Sequence, residues 1–185
     1  MKWIPVLTLS ATLAAFFQAP AEAFTLKGTV WERQSQRYCK VDPKLLYAVA
    51  LVESKRYSGH IVNPNPLALN IADKPHHPAS LSQAKQLLRD GLQKTRNIAV
   101  GAMQISIRWN GERVANPEDL LDLETNVRIG TQVLCEMIDG QHGDLELAIG
   151  RYHTPNPELE SVAREYGRNV LTIWRRLILL ESKEA

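Results

Sequence analysis

Residues 46–54 read Leu46-Tyr47-Ala48-Val49-Ala50-Leu51-Val52-Glu53-Ser54. Just ahead stand Asp42 and Pro43, a good N-cap followed by a residue suited to the first helical position, and no breaker intervenes before Lys55. The stretch therefore predicts a helix. Leu46, Val49 and Ala50 lie seven, four and three residues before Glu53, so at about 3.6 residues per turn all four share one face. Glu53 thus projects from the middle of an apolar stripe. Burying a carboxylate's charge is costly, so such a residue must find a partner or keep its proton. Two readings stay open. Paired with Arg108, Arg128 or Arg151, Glu53 would be a structural ion; in an apolar surround it would be suited to general acid work.

Outward from this helix the chain reads as further helices joined by loops, with no convincing run of alternating strands. Ser80-Leu81-Ser82-Gln83 resembles a capping box and opens a helix to about Gln93. Another begins near Asn116-Pro117, and a longer one runs from about Glu124 to Asp139, stopped by Gly140. Asp144 to Tyr152 makes a short helix before Pro155 and Pro157, and the last spans about Glu158 to Glu181 with Gly167 as a weak point. In that last helix Ile173, Trp174, Leu177, Ile178 and Leu180 complete the core or dock on a partner. Between the first two helices, Asn63-Pro64-Asn65-Pro66 and Lys74-Pro75-His76-His77-Pro78 are rich in turn formers and read as irregular loop. The fold expected is all-α with long loops.

The start of the chain reads as an address. Lys2 precedes the largely apolar residues 4–17, and Ala21-Glu22-Ala23 gives a small-x-small cleavage pattern. Residues 1–23 are read as a signal peptide and 24–185 as one mature domain, with no stable membrane span after cleavage. Export into an oxidising compartment favours a disulfide between the two cysteines, Cys39 and Cys135, over two buried thiols. Net charge is only +2, and no basic run suggests a nucleic-acid surface. Of the histidines His60, His76, His77, His142 and His153 only two are close in sequence, and adjacent residues rarely share an ion, so no metal and no cofactor is expected.

Two further motifs carry chemistry. Gly101-Ala102-Met103-Gln104-Ile105 combines a glycine that lets backbone approach a ligand, an adaptable apolar wall in Met103, and a donor–acceptor side chain in Gln104. Alternatively it is a helix start with Met103 and Ile105 in the core. Ala148-Ile149-Gly150-Arg151-Tyr152-His153 offers Tyr152 to place a hydroxyl near Glu53 and a ring against a sugar, and His153 as a polar partner in the same groove. The bland reading of that pair is a half-buried helix end.

Taken in order, Glu53-Ser54, Gly101 to Gln104 and Ala148 to Tyr152 resemble the soluble lytic transglycosylase (SLT) domain of the lysozyme-like superfamily, across roughly Tyr38 to Tyr152. Residues 46–54 are similar to that family's catalytic helix. The short mature chain, the Asn63–Asn70 segment and the Arg151-Tyr152-His153 ending most resemble the specialised enzymes of secretion and conjugation machines. The resemblance implies a lysozyme-like helical domain in the periplasm that cleaves the β-1,4 bond between N-acetylmuramic acid and N-acetylglucosamine and leaves a 1,6-anhydro end. It implies Glu53 as acid/base, with Ser54, Gly101, Met103, Gln104, Tyr152 and His153 binding peptidoglycan glycan strands. It further implies trans-envelope machine components as partners. Departures are Ala102, where a bulkier residue is common and whose small size is expected to widen the groove; His153, where asparagine is common; and the long spacing from Glu53 to Gly101. Rival readings are a hydrolytic muramidase, with Asp73 or Glu112 as a second carboxylate, and a non-catalytic peptidoglycan-binding assembly factor with Glu53 salt-bridged.

Overall fold

The structure, a computed structural model, describes residues 24–182; residues 1–23, read above as a signal peptide, lie outside them. It is mainly α, with the lysozyme-like build expected and two small antiparallel sheets. The helices are α1 (Val30–Arg37), α2 (Pro43–Ser54), α3 (Leu81–Leu92), α4 (Ile107–Asn110), α5 (Leu123–Gly140), α6 (Leu145–His153) and α7 (Glu160–Ser182). Among the described residues no helix is long and apolar enough to cross a membrane.

The caps fall where residue type directs them. Asp42 accepts from the Lys44 amide at 2.8 Å with Pro43 at the first helical position, and Ser80 accepts from Gln83 N at 3.2 Å. Asn116 caps a short 3-10 turn instead of a full helix. The helix α1 escaped the reading of the sequence. It packs Val30 and Trp31 onto the core, with the Trp31 ring edge-on to Tyr47 at 5.3 Å between centroids.

The irregular segment expected between α2 and α3 needs correction, because it holds strands. β1 (Lys55–Ser58) pairs antiparallel with β2 (Ile61–Pro64), and a four-stranded sheet has the order β4-β3-β5-β6, from β3 (Leu69–Ile71), β4 (Lys74–His76), β5 (Ile98–Val100) and β6 (Ile105–Ser106). Pro64 and Pro75 fit because both occupy edge strands, where a missing N–H leaves no ladder bond unmade. Strands of two to four residues leave almost no alternation to read.

One hydrophobic cluster gathers α1, α2, α5, α6, α7 and the inner strands, with Leu46, Val49 and Ala50 fully buried in it. Glycines set its tightest joint. A Cβ on Gly150 would collide with the Ala163 carbonyl, and one on Gly167 with the Glu146 carbonyl, so α6 and α7 touch backbone to backbone. Gly167, read as a weak point, is a close-packing position in a continuous helix. Further along α7, Leu177 is buried and Ile173 and Trp174 pack on the core, while Ile178 and Leu180 stay exposed. The Trp174 indole donates to Asp42 at 2.9 Å, which ties the end of α7 to the start of α2. Cys39, just before α2, and Cys135, in α5, are bonded with their Cα atoms 5.7 Å apart.

Candidate active site

Glu53 sits in the last turn of α2 at the edge of an open cleft of about 740 Å³, with 10% of its side chain exposed. The Tyr166 hydroxyl, from α7, donates to Glu53 Oε1 at 2.6 Å. Burial and the nearby Glu53 carboxylate push the Tyr166 hydroxyl well above its ordinary range, which keeps it a phenol and therefore a donor. His153 Nδ1 lies 3.4 Å from the same oxygen. Its ring stacks on Tyr166, with centroids 4.6 Å apart and planes 5° from parallel. The hydrogen bond to Glu53 raises the His153 pKa above its ordinary value despite partial burial. Among the described residues no arginine forms an ion pair with Glu53. Arg151 is buried and donates instead to the carbonyls of Thr154 and Asn156, at 3.3 and 2.5 Å.

The tyrosine hydrogen-bonded to Glu53 is Tyr166, whereas Tyr152, expected near the carboxylate, lies close enough to feel its charge but bonds elsewhere. Tyr152 lines the cleft, but its hydroxyl donates to the Met103 carbonyl at 2.7 Å, which fastens α6 to the Gly101–Gln104 turn. Burial, and then the Glu53 charge, hold its pKa well up. No pattern in the sequence marks Tyr166, since it is one apolar-face position among several on α7.

Of the anticipated groove residues, Glu53, Gln104, Tyr152 and His153 reach the cleft wall. Ser54, Gly101 and Met103 stand behind it, which corrects their placement. Ser54 is buried, with its hydroxyl donating to Ala102 O at 2.7 Å and accepting from Asn65 N at 3.1 Å; it pins α2 to two loops. Gly101 has φ +80°, and an added Cβ would meet the Leu120 carbonyl at 2.8 Å, so the turn requires glycine. Met103 is fully buried against Gly130. Ala102 is also buried in the core, so a bulkier residue there would press on packing and not narrow the groove.

What holds this turn is Asn126 of α5, also unforeseen. Its Nδ2 donates to Val100 O and Leu120 O, each at 2.8 Å, and its Oδ1 accepts from Met103 N at 2.8 Å. Gln104, at φ 47°, donates from Nε2 to Gly101 O at 2.9 Å and to Ala68 O at 3.2 Å.

The remaining walls mix polar side chains with apolar ones such as Ile98, Val133 and Met137. Asn70, Asp73 and Asn97 come from the β3–β4–β5 side, and Asn97 Nδ2 donates to Asp73 Oδ2 at 3.2 Å. Trp109 and Asn110 of α4 line another stretch, and Arg113 and Glu136 are locked in a two-pronged ion pair at 2.7 and 2.8 Å. Glu112 is not among the cleft residues. An open groove with mixed polar and apolar walls and one nearly buried, tyrosine-bonded carboxylate suits the gripping of an extended sugar chain and proton transfer at one point along it.

The fold and this groove define a lysozyme-like protein. The family model for the transglycosylase SLT domain matches residues 29–169, and the chain belongs to that family. Membership places it among lytic transglycosylase domains, whose substrate is peptidoglycan. Comparison with curated proteins and with solved structures finds no match to either. The match extends past Tyr166, so the hydroxyl on Glu53 lies inside the family domain.

Proposed function

We propose that this chain is an active lytic transglycosylase that cuts the β-1,4 bond between N-acetylmuramic acid and N-acetylglucosamine. The observation that carries this is the setting of Glu53: nearly buried at a groove, bonded to a phenol and a histidine, and unpaired with arginine among the described residues. Glu53 gives its proton to the glycosidic oxygen as the bond from that oxygen to the anomeric carbon breaks. The muramic 6-hydroxyl oxygen then closes on the anomeric carbon and returns its proton to Glu53. A 1,6-anhydro ring forms, no water is consumed and the carboxyl ends as it began. Tyr166 steadies Oε1 while the charge on the carboxylate changes. Gln104, Tyr152 and His153 contact the strand, and Ser54, Gly101 and Met103 shape the groove from behind.

Residues 1–23, leader-like in sequence, support export to the periplasm, where this substrate lies. The resemblance to enzymes of secretion and conjugation machines supports a role in opening the wall locally for a trans-envelope assembly. Asp73 on the cleft wall is the observation that favours hydrolysis as a second reading, since it offers another carboxylate.

Mass spectrometry of soluble products from purified peptidoglycan tests the proposal. Anhydro-muropeptides are expected from the wild type, with Glu53→Gln slower by about a thousandfold or more. Reducing ends would replace transglycosylation with hydrolysis. No product from either protein would leave a binding protein only.

A further inference from the structure

Trp109 is an oddity in this cleft. Its neighbour Ile107 is fully buried and anchors the short helix α4, yet the indole stands 63% exposed on the cleft wall. The guanidinium of Arg108 lies 4.9 Å from the ring centroid. Among the described residues Arg108 has no ion-pair partner, whereas the nearby cleft cation Arg113 is neutralised by Glu136. An exposed indole offers a flat apolar face, and a pyranose ring has one to lay against it. An unneutralised guanidinium beside it favours an anion, best a planar carboxylate.

We propose that Trp109 and Arg108 form a separate subsite on the α4 wall for a sugar unit that bears a carboxylate. The free face of the indole takes the sugar ring, and Arg108 takes the carboxylate. In a glycan strand that group is either the lactyl carboxylate of a peptide-free muramic unit or a carboxylate of its stem peptide. The inference rests on the peptidoglycan reading and extends the bound strand from Glu53 to α4.

The test uses Glu53→Gln, so that ligands bind without turnover. Calorimetry and tryptophan emission are followed with three probes: chitotetraose, which is uncharged; peptide-free glycan strands; and peptide-bearing strands. Trp31 is buried and the Trp174 indole is bonded to Asp42, and a Trp109→Phe control assigns the emission change to Trp109. All three probes are expected to shift that emission, and Trp109→Ala to weaken each by about tenfold. Arg108→Gln should weaken only the carboxylated strands, by about threefold at low salt, with the difference fading at high salt. If that loss appears with peptide-free strands the lactyl group is the ligand; if only with peptide-bearing strands, the stem is. Calorimetric binding with silent Trp109 emission and an indifferent Trp109→Ala overturns the subsite and leaves the peptidoglycan reading standing. Equal losses for charged and uncharged probes in Arg108→Gln overturn the carboxylate assignment. Absence of calorimetric binding to all three probes overturns both.

Discussion

The hairpin β1–β2 and the α6–α7 seam both adjoin Glu53, but they do so in opposite ways. The hairpin follows Glu53 almost directly in the chain, with β1 starting at Lys55, yet every β1 residue is exposed and Tyr57 stands 67% in solvent. The seam lies 100 and 113 residues downstream, and it delivers both groups that touch the carboxylate, His153 and Tyr166. It does so from helices packed so closely that only glycine fits at Gly150 and Gly167. Chain proximity therefore says little about what shapes the site. Rigid backbone contact between distant helices fixes a phenol and an imidazole on one oxygen, as the acid/base role proposed for Glu53 requires.

The sharpest way to break this contrast is Gly150→Val. The new side chain meets backbone on α7, which cannot rotate aside, so a loss of about 4 kcal/mol or more is expected in chemical denaturation. Wild-type stability in that variant would show the seam to be compliant. Next comes Asn126→Ala, which strands two carbonyls and one amide in the interior. About 3 kcal/mol should go, and cleavage should fall as Gln104 and the carbonyl that Tyr152 binds lose their support. A variant that kept full activity at reduced stability would confine Asn126 to structure.

A smaller effect concerns the proton. The His153 pKa is raised in the fold by its contact with Glu53, so that contact contributes fully below about 6.5 and is lost as pH rises through the higher folded value. The ring is half exposed, so the contribution is screened by solvent. An NMR titration should find the His153 midpoint above the ordinary value in the wild type and lower in Glu53→Gln. Identical midpoints would dissolve the coupling. Last, Tyr57→Ala on the hairpin should change stability by no more than about 0.5 kcal/mol. A larger loss would mean that the hairpin is not the loose partner in the comparison.

Much of the frame was legible because it rests on local rules. Asp42-Pro43 marks the start of α2, and the stripe Leu46, Val49, Ala50 puts Glu53 on the inner face. What stayed hidden depends on tertiary position. Tyr166 is one residue on a long amphipathic helix until α7 docks against α2. Asn126 looks like an ordinary polar residue in α5 until three backbone groups converge on it. Ser54 misled for the same reason: adjacency to Glu53 suggested the groove, but one step around a helix turns a side chain by about 100 degrees, here into the core. The short strands failed differently, since Pro64 and Pro75 are turn signals that an edge strand tolerates.

The bond from Tyr166 to Glu53 also sets an order of assembly. The carboxylate is near the front of the folded domain, and its phenol partner enters the chain 113 residues later. A chain interrupted anywhere before α7 carries Glu53 without the hydroxyl that bonds it, and without the ring on which His153 stacks. Completion of the site around Glu53 therefore waits for α7. A copy that stops short of α7 would hold its carboxylate without the phenol that bonds it.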